Sequence, residues 1–158
     1  MKKNIKWIRL AILITSWMTV PLLGKKTFWR FFPAASFITL LLSLESEVSR
    51  GRNWWKIKGY KTKGRTLSIP FVYGPFMVGS IWILKWTYGH FFRYLFVNVV
   101  MDSFFSFVVS PIVERIGFYR LKKFTRPTIF WNFIIFSLIM YSYQLKMEKN
   151  IVSVSENK

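Results

Sequence analysis

Five continuously apolar runs, separated by short clusters of Lys and Arg, constrain this chain more than any other feature. They lie near residues 7–23, 28–44, 67–86, 91–113 and 128–145. A helix needs about 20 residues to cross a bilayer, with a working range of about 17 to 25, and every run falls within it. Strands fit poorly, because a membrane barrel alternates polar and apolar positions over shorter segments. The expected fold is therefore all-α: a polytopic membrane helix bundle of about five transmembrane helices over residues 1–145. A polar, flexible tail is expected over 146–158.

Composition agrees with this pattern. Hydrophobic residues make up 53% of the 158, and Lys plus Arg number 24 against six acids, a formal net charge of +18. The cations are squeezed into a few runs rather than spread between ordinary core elements. That excludes a disordered polycation and argues against a soluble nucleic-acid binder. Cysteine is absent, so disulfides and thiolate chemistry are excluded. The single histidine, His90, has no ligand cluster around it in sequence, and no metal or other cofactor is expected. The start, Met1 to Lys6 followed by an apolar run, resembles a secretory signal, but no small-x-small cleavage site follows. An uncleaved first span is expected.

Connections and charges set a topology. Gly24-Lys25-Lys26-Thr27 predicts a tight hairpin between the first two helices, and Tyr88-Gly89-His90 a similar turn between the third and fourth. The segments 45–66 and 114–127 are longer and basic. With a cytoplasmic N-terminus, sixteen Lys and Arg fall inside and eight outside, which places the C-terminus externally. No internal repeat supports an inverted-repeat transporter.

The costliest residue is Asp102, near the middle of the fourth run. A carboxylate at the centre of a lipid-embedded helix costs about 2.5–3.5 kcal/mol on insertion scales, so it should face protein or water. Steps of four from Tyr94 reach Asn98, Asp102, Ser106 and Ser110, which makes Asn98, Asp102 and Ser106 a polar stripe with some rotational drift. No Lys or Arg lies at comparable depth in another run, so Asp102 is expected to be neutral or hydrogen-bonded rather than salt-bridged. The preferred reading is glue between helices; a proton or cation relay and an enzymatic acid are the alternatives. Small residues recur at fours on the first two helices: Ala11, Thr15 and Thr19, then Ala35, Thr39 and Ser43. Such faces suit a tightly packed hairpin. Pro75, with Gly74 before it and Gly79-Ser80 a turn later, predicts a kink in the third helix.

The 45–66 segment interleaves Trp54, Trp55 and Tyr60 with Lys56, Lys58, Lys61, Lys63 and Arg65. Beside a membrane span this composition marks a segment lying on anionic lipid. A protein partner is the second reading and nucleic acid the weakest, so no nucleic acid is expected as a partner. Glu45 and Glu47 at its start are expected to form a solvated ion-pair cluster. Phosphate-cradling Gly-rich loops, His-Glu-x-x-His and serine elbows are all missing, so no catalytic residue is assigned and no enzyme is expected.

Three stretches carry a family likeness. They are Thr27-Phe-Trp-Arg-Phe-Phe-Pro-Ala-Ala35, Ile69-Pro-Phe-Val-Tyr-Gly-Pro-Phe-Met-Val-Gly79 and Ser110-Pro-Ile-Val-Glu-Arg-Ile-Gly-Phe-Tyr-Arg-Leu121. Together the chain resembles a group of small, uncharacterised multi-pass membrane proteins of Bacillus-type bacteria. The resemblance implies a bacterial cell membrane and carries no activity. The function expected is thus an integral membrane protein of structural or partner-binding type, with basic cytoplasmic loops on anionic lipid. A membrane protein partner or a homo-oligomer fits this reading. The alternative is a small proton- or cation-coupled carrier or channel using Asp102.

Overall fold

A computed structural model describes residues 2–51, 55–56, 72–115, 120–121 and 125–156. Seven α-helices follow in order: α1 (Lys2–Met18), α2 (Val20–Leu23), α3 (Lys25–Gly51), α4 (Met77–Thr87), α5 (Phe91–Phe104), α6 (Ser110–Arg115) and α7 (Arg126–Glu156). A π-helical turn, Val72–Phe76, leads into α4, and a second, Phe105–Val109, joins α5 to α6. Two-residue strands β1 (Trp55–Lys56) and β2 (Arg120–Leu121) pair antiparallel, with Trp55 opposite Leu121 and Lys56 opposite Arg120. The fold is a helical bundle. Three of its segments, Lys25–Val48, Phe91–Ile112 and Arg126–Asn150, are long and apolar enough to cross a membrane. The first apolar run forms a shorter helical stretch, Leu10–Leu23. The third is described only from Val72 onward.

Local chemistry explains the breaks. Pro21 has no N–H to continue α1, and the chain tightens at Thr19, whose N–H reaches the Ser16 carbonyl at 3.2 Å. Gly24 follows with φ +81°, a left-handed value that glycine adopts at little cost, and α3 starts at once. Gly89, at φ +91°, does the same between α4 and α5. The kink expected at Pro75 takes the form of the π-helical turn that contains it. Proline cannot donate the bond that closes an α-turn there, and the wider turn accommodates it. The second π-helical turn likewise lies just before Pro111.

The long helices α3 and α7 run antiparallel and are clasped at both ends. Arg30 grips Glu148 through Nε–Oε1 at 2.7 Å and Nη2–Oε2 at 2.9 Å. At the other end the Asn132 amide donates to both oxygens of Glu45, at 2.7 and 2.8 Å. Between them the rings of Phe37 and Tyr143 stack, with centroids 4.5 Å apart. Fifteen residues at about 1.5 Å rise separate Arg30 from Glu45, matching the sixteen from Asn132 to Glu148, so one register satisfies all three contacts. Two expectations change here. Helix α7 does not stop at residue 145 but runs on to Glu156, and Glu148 within the expected tail is tied to α3. Glu45 is bound by an amide across the bundle rather than sitting in a solvated ion-pair cluster.

The expected hairpin forms only at its turn, where α2 meets α3 and the Trp17 ring lies 6.5 Å from that of Phe28; the rest of α1 takes a different partner. α1 lies against the Val72–Phe76 turn. Gly74 permits this: a Cβ there would stand 3.2 Å from the Leu13 Cα. Trp17 Nε1 donates to the Tyr73 carbonyl at 3.0 Å, and Trp82 Nε1 to Thr19 Oγ1 at 3.2 Å. Lys85 Nζ donates to the Leu22 and Leu23 carbonyls at the end of α2, at 3.2 and 3.4 Å, where a cation complements the helix terminus. The small face of α3 is used, but against α4 and α7: Ala35 and Thr39 are buried, whereas Ala11 and Thr15 on α1 are exposed.

The interior is largely apolar with a few polar side chains, and the exterior is apolar as well. Buried positions include Thr39, Asn98, Ser106, Ser110 and Gln144 beside Ala34, Ile38, Ile81, Leu84 and Tyr94. The outer face of α5 carries Phe92, 84% exposed, then Phe96, 68%, then Val100 and Phe104 a turn apart each. Soluble monomers rarely expose so continuous an apolar stripe.

Candidate functional site: a cavity beside Asp102

The residues expected to form a polar stripe lie on the inward side of α5 and the π-helical turn after it. Tyr94, Ser106 and Ser110 are fully buried, Asn98 is buried, and Asp102 is partly buried. A regular α-helix would carry steps of four progressively around its axis. The π-helical turn Phe105–Val109 turns the chain less per residue, and Ser106 and Ser110 stay inside.

Asn98 and Asp102 share one wall of a cavity of about 200 Å³. Helix α4 contributes Gly79, Ser80 and Ile83, helix α7 contributes Phe133, Phe136, Ser137 and Met140, and Ile38 of α3 closes one side. Pro75 and Phe76 line it as well, so the π-helical turn at the head of α4 shapes its rim. Ser106 is not part of the lining; it is enclosed in the adjoining turn.

The polar groups around the cavity mostly satisfy themselves locally. Asn98 Nδ2 donates to the Tyr94 carbonyl at 2.8 Å. Ser80 donates to the Phe76 carbonyl and Ser137 to the Ile134 carbonyl, both at 2.8 Å. Asp102 is different. Its Oδ2 is buried with no hydrogen-bond partner, as is Ser106 Oγ one turn on. The cross-helix bond that would make Asp102 glue between helices is not formed at Oδ2. The hydroxyl that does bridge helices is that of Tyr94, which donates to the Ser137 carbonyl on α7 at 2.7 Å.

The expected lipid-surface segment is mostly out of view. Trp54, Lys58, Tyr60, Lys61, Lys63 and Arg65 lie outside the described residues, and of Trp55 and Lys56 only the backbone pairing is described. That pairing sets residues 55–56 beside residues 120–121, near the end of α3. The opposite end holds the Arg30–Glu148 clasp. There Arg30 also lies over the rings of Phe31 and Tyr88, at 5.2 and 5.1 Å. Burial, reinforced by the Glu148 carboxylate, pushes the Tyr88 phenol up to about 12.

Sequence reasoning missed Ser80, Ser137 and the phenylalanines as cavity walls, and missed Glu45–Asn132 and Arg30–Glu148 as pairs. A signal for α7 existed. Ile134, Ser137, Tyr141, Gln144 and Glu148 recur at alternating steps of three and four, the spacing of one helix face. Among the described residues no group of three or more His, Asp or Glu could hold a metal ion. In comparisons with known proteins, no family model, curated protein or solved structure matches the chain.

Proposed function

We propose that this chain is a multi-pass integral membrane protein of a bacterial cell membrane, structural or partner-binding in role, with one basic cytoplasmic face seated on anionic lipid. The single observation that carries the reading is the β1–β2 pairing. It ties one strongly basic connection to the other through residues 55–56 and 120–121, which supports a single basic face. Each Lys or Arg near an anionic surface contributes about 1 kcal/mol, and gathered charges add up to firm retention. The apolar outer stripe of α5 and three helices of membrane-crossing length support residence in a bilayer. The resemblance to Bacillus-type membrane proteins supports the cellular setting. A cytoplasmic N-terminus and external C-terminus follow from the charge split.

The test is lipid retention by the full chain. Purified from membranes of mixed composition, the protein should carry phosphatidylglycerol in preference to phosphatidylethanolamine. Added salt, or the triple change Lys58→Gln, Lys61→Gln and Lys63→Gln, should reduce that preference. Equal retention of both lipids, insensitive to salt, would refute the basic-face reading.

One observation favours a second reading. The unpartnered Asp102 Oδ2 beside a cavity supports a small proton- or cation-coupled carrier. Proton or cation flux into liposomes that is lost in Asp102→Asn is its test; no flux with the wild-type protein counts against it.

A further inference from the structure

The cavity joins two chemical features that a simple packing defect does not require. One is the Asp102 carboxylate, whose Oδ2 is buried and unpartnered. Among the described residues no cation pairs with it. The other is a group of aromatic rings. Phe133 sits between Phe105, 5.4 Å away, and Phe76, 5.9 Å away, and all three line the same space.

We propose that this cavity binds a small organic ammonium cation, with Asp102 as its counter-charge and Phe76, Phe105 and Phe133 as its aromatic wall. The inference deepens the carrier reading by naming a ligand class, but it concerns binding and is tested without flux. An ammonium centre is attracted to aromatic rings by their quadrupole, and desolvation strengthens that attraction. An ionised carboxylate without a partner is unfavourable there, and a bound cation favours the ionised form and offsets part of that cost. Neutral ligands and anions leave it in place.

The lining also selects among cations. Hard inorganic ions such as Ca²⁺ take six to eight oxygen ligands. Here the Ser80 and Ser137 hydroxyls are turned to their own helix carbonyls, and one carboxylate is the only acid on the wall. A quaternary ammonium has no N–H and asks for no acceptor, which matches such a wall. At about 200 Å³ the space is many times what a single water requires, so it has room for a small ligand. The space is not sealed, since Asp102 keeps partial exposure.

The experiment is isothermal titration of the full chain in non-ionic maltoside micelles. Choline is the probe, 3,3-dimethyl-1-butanol its neutral carbon isostere, and soluble dihexanoylphosphatidylcholine the arm that separates a lipid headgroup from a free cation. Saturable binding of choline or of the short-chain lipid is expected, with the isostere at least about tenfold weaker. Asp102→Asn should weaken the cation by a similar factor and leave the isostere unchanged. Phe133→Leu keeps apolar volume while removing a ring, and should weaken the cation less. The proposal is overturned if the isostere binds as well as choline, if Asp102→Asn binds choline normally, or if neither ammonium compound binds. The isostere comparison uses wild-type protein, so it decides the matter even where a variant misfolds. Binding without flux removes the carrier reading alone; flux without ammonium binding removes this inference alone.

Discussion

Tyr94 offers the cleanest measure of what holds α5 against α7. Its side chain is fully buried, its ring lies 4.7 Å from that of Tyr141, and its hydroxyl donates to the Ser137 carbonyl at 2.7 Å. Tyr94→Phe removes only the hydroxyl. The Ser137 carbonyl keeps its bond within α7, so the change strands no buried group, and the cost is the net worth of one interhelical bond. Such bonds average about 0.6 kcal/mol in a bilayer-embedded bundle, with a maximum of about 1.7. Tyr94→Leu also removes the aromatic pair, worth about 0.5–1.5 kcal/mol beyond area, and leaves a void, for a total of about 2–4 kcal/mol. The assay is reversible unfolding in mixed micelles, followed by circular dichroism as the fraction of sodium dodecyl sulfate rises. The expected order is wild type, then Phe close behind, then Leu well below. A Phe variant as unstable as Leu would show that the hydroxyl carries the contact, and a Leu variant as stable as wild type would show that Tyr94 is not central. Either result refutes the packing argument.

Four further outcomes follow from the geometry. Gly74→Val should separate α1 from the Val72–Phe76 turn at a cost of about 1–3 kcal/mol, since even a Cβ meets the Leu13 Cα at 3.2 Å; Gly74→Ala should cost less in the same unfolding assay. A double-mutant cycle on Arg30 and Glu148 should give a coupling of at most about 1 kcal/mol that falls with salt, because Arg30 is 53% exposed. Tyr88 keeps its proton to about pH 12, beyond the ordinary value of 10.0. The unfolded chain therefore deprotonates first, stability contributed by Tyr88 is intact below pH 10 and is lost through about 12, and Tyr88→Phe should flatten that loss in an alkaline unfolding series. A cysteine placed at Ser153 is the only thiol in the chain and should react with an impermeant maleimide from outside intact cells; labelling only after lysis would reverse the proposed topology.

An exterior as apolar as the core bears on how the Asp102 site is built. Lipid does not reward burial of apolar surface between helices, so association depends on close packing and on polar bonds. The bundle follows this: its terminal clasps are Arg30–Glu148 and Glu45–Asn132, and its central bridge is the Tyr94 hydroxyl. Asp102 takes no share in these bonds through Oδ2. A costly group with no structural bond at that atom is the reason to look for a ligand there.

The sequence by itself determined the helical class, the turns at Gly24 and Gly89, the break at Pro75 and the inward side of α5. Those are local matters. Continuous apolar runs demand helices, Pro75 denies a specific backbone bond, Gly24 and Gly89 allow left-handed turns, and a step of four identifies a face. Tertiary structure alone decided which faces meet. The Ala35 and Thr39 row proved to be a packing face, but its partners are α4 and α7 rather than α1. The aromatic wall was invisible because the sequence contains 17 phenylalanines and periodicity does not distinguish one facing a cavity from one facing outward. The same holds for α7, whose polar residues looked like a tail until Arg30 was brought beside Glu148. In a chain apolar on every side, hydrophobicity fixes that helices form but hardly orients them. Orientation comes from a few long-range contacts between residues as far apart as Arg30 and Glu148, and those exist only once the bundle has assembled.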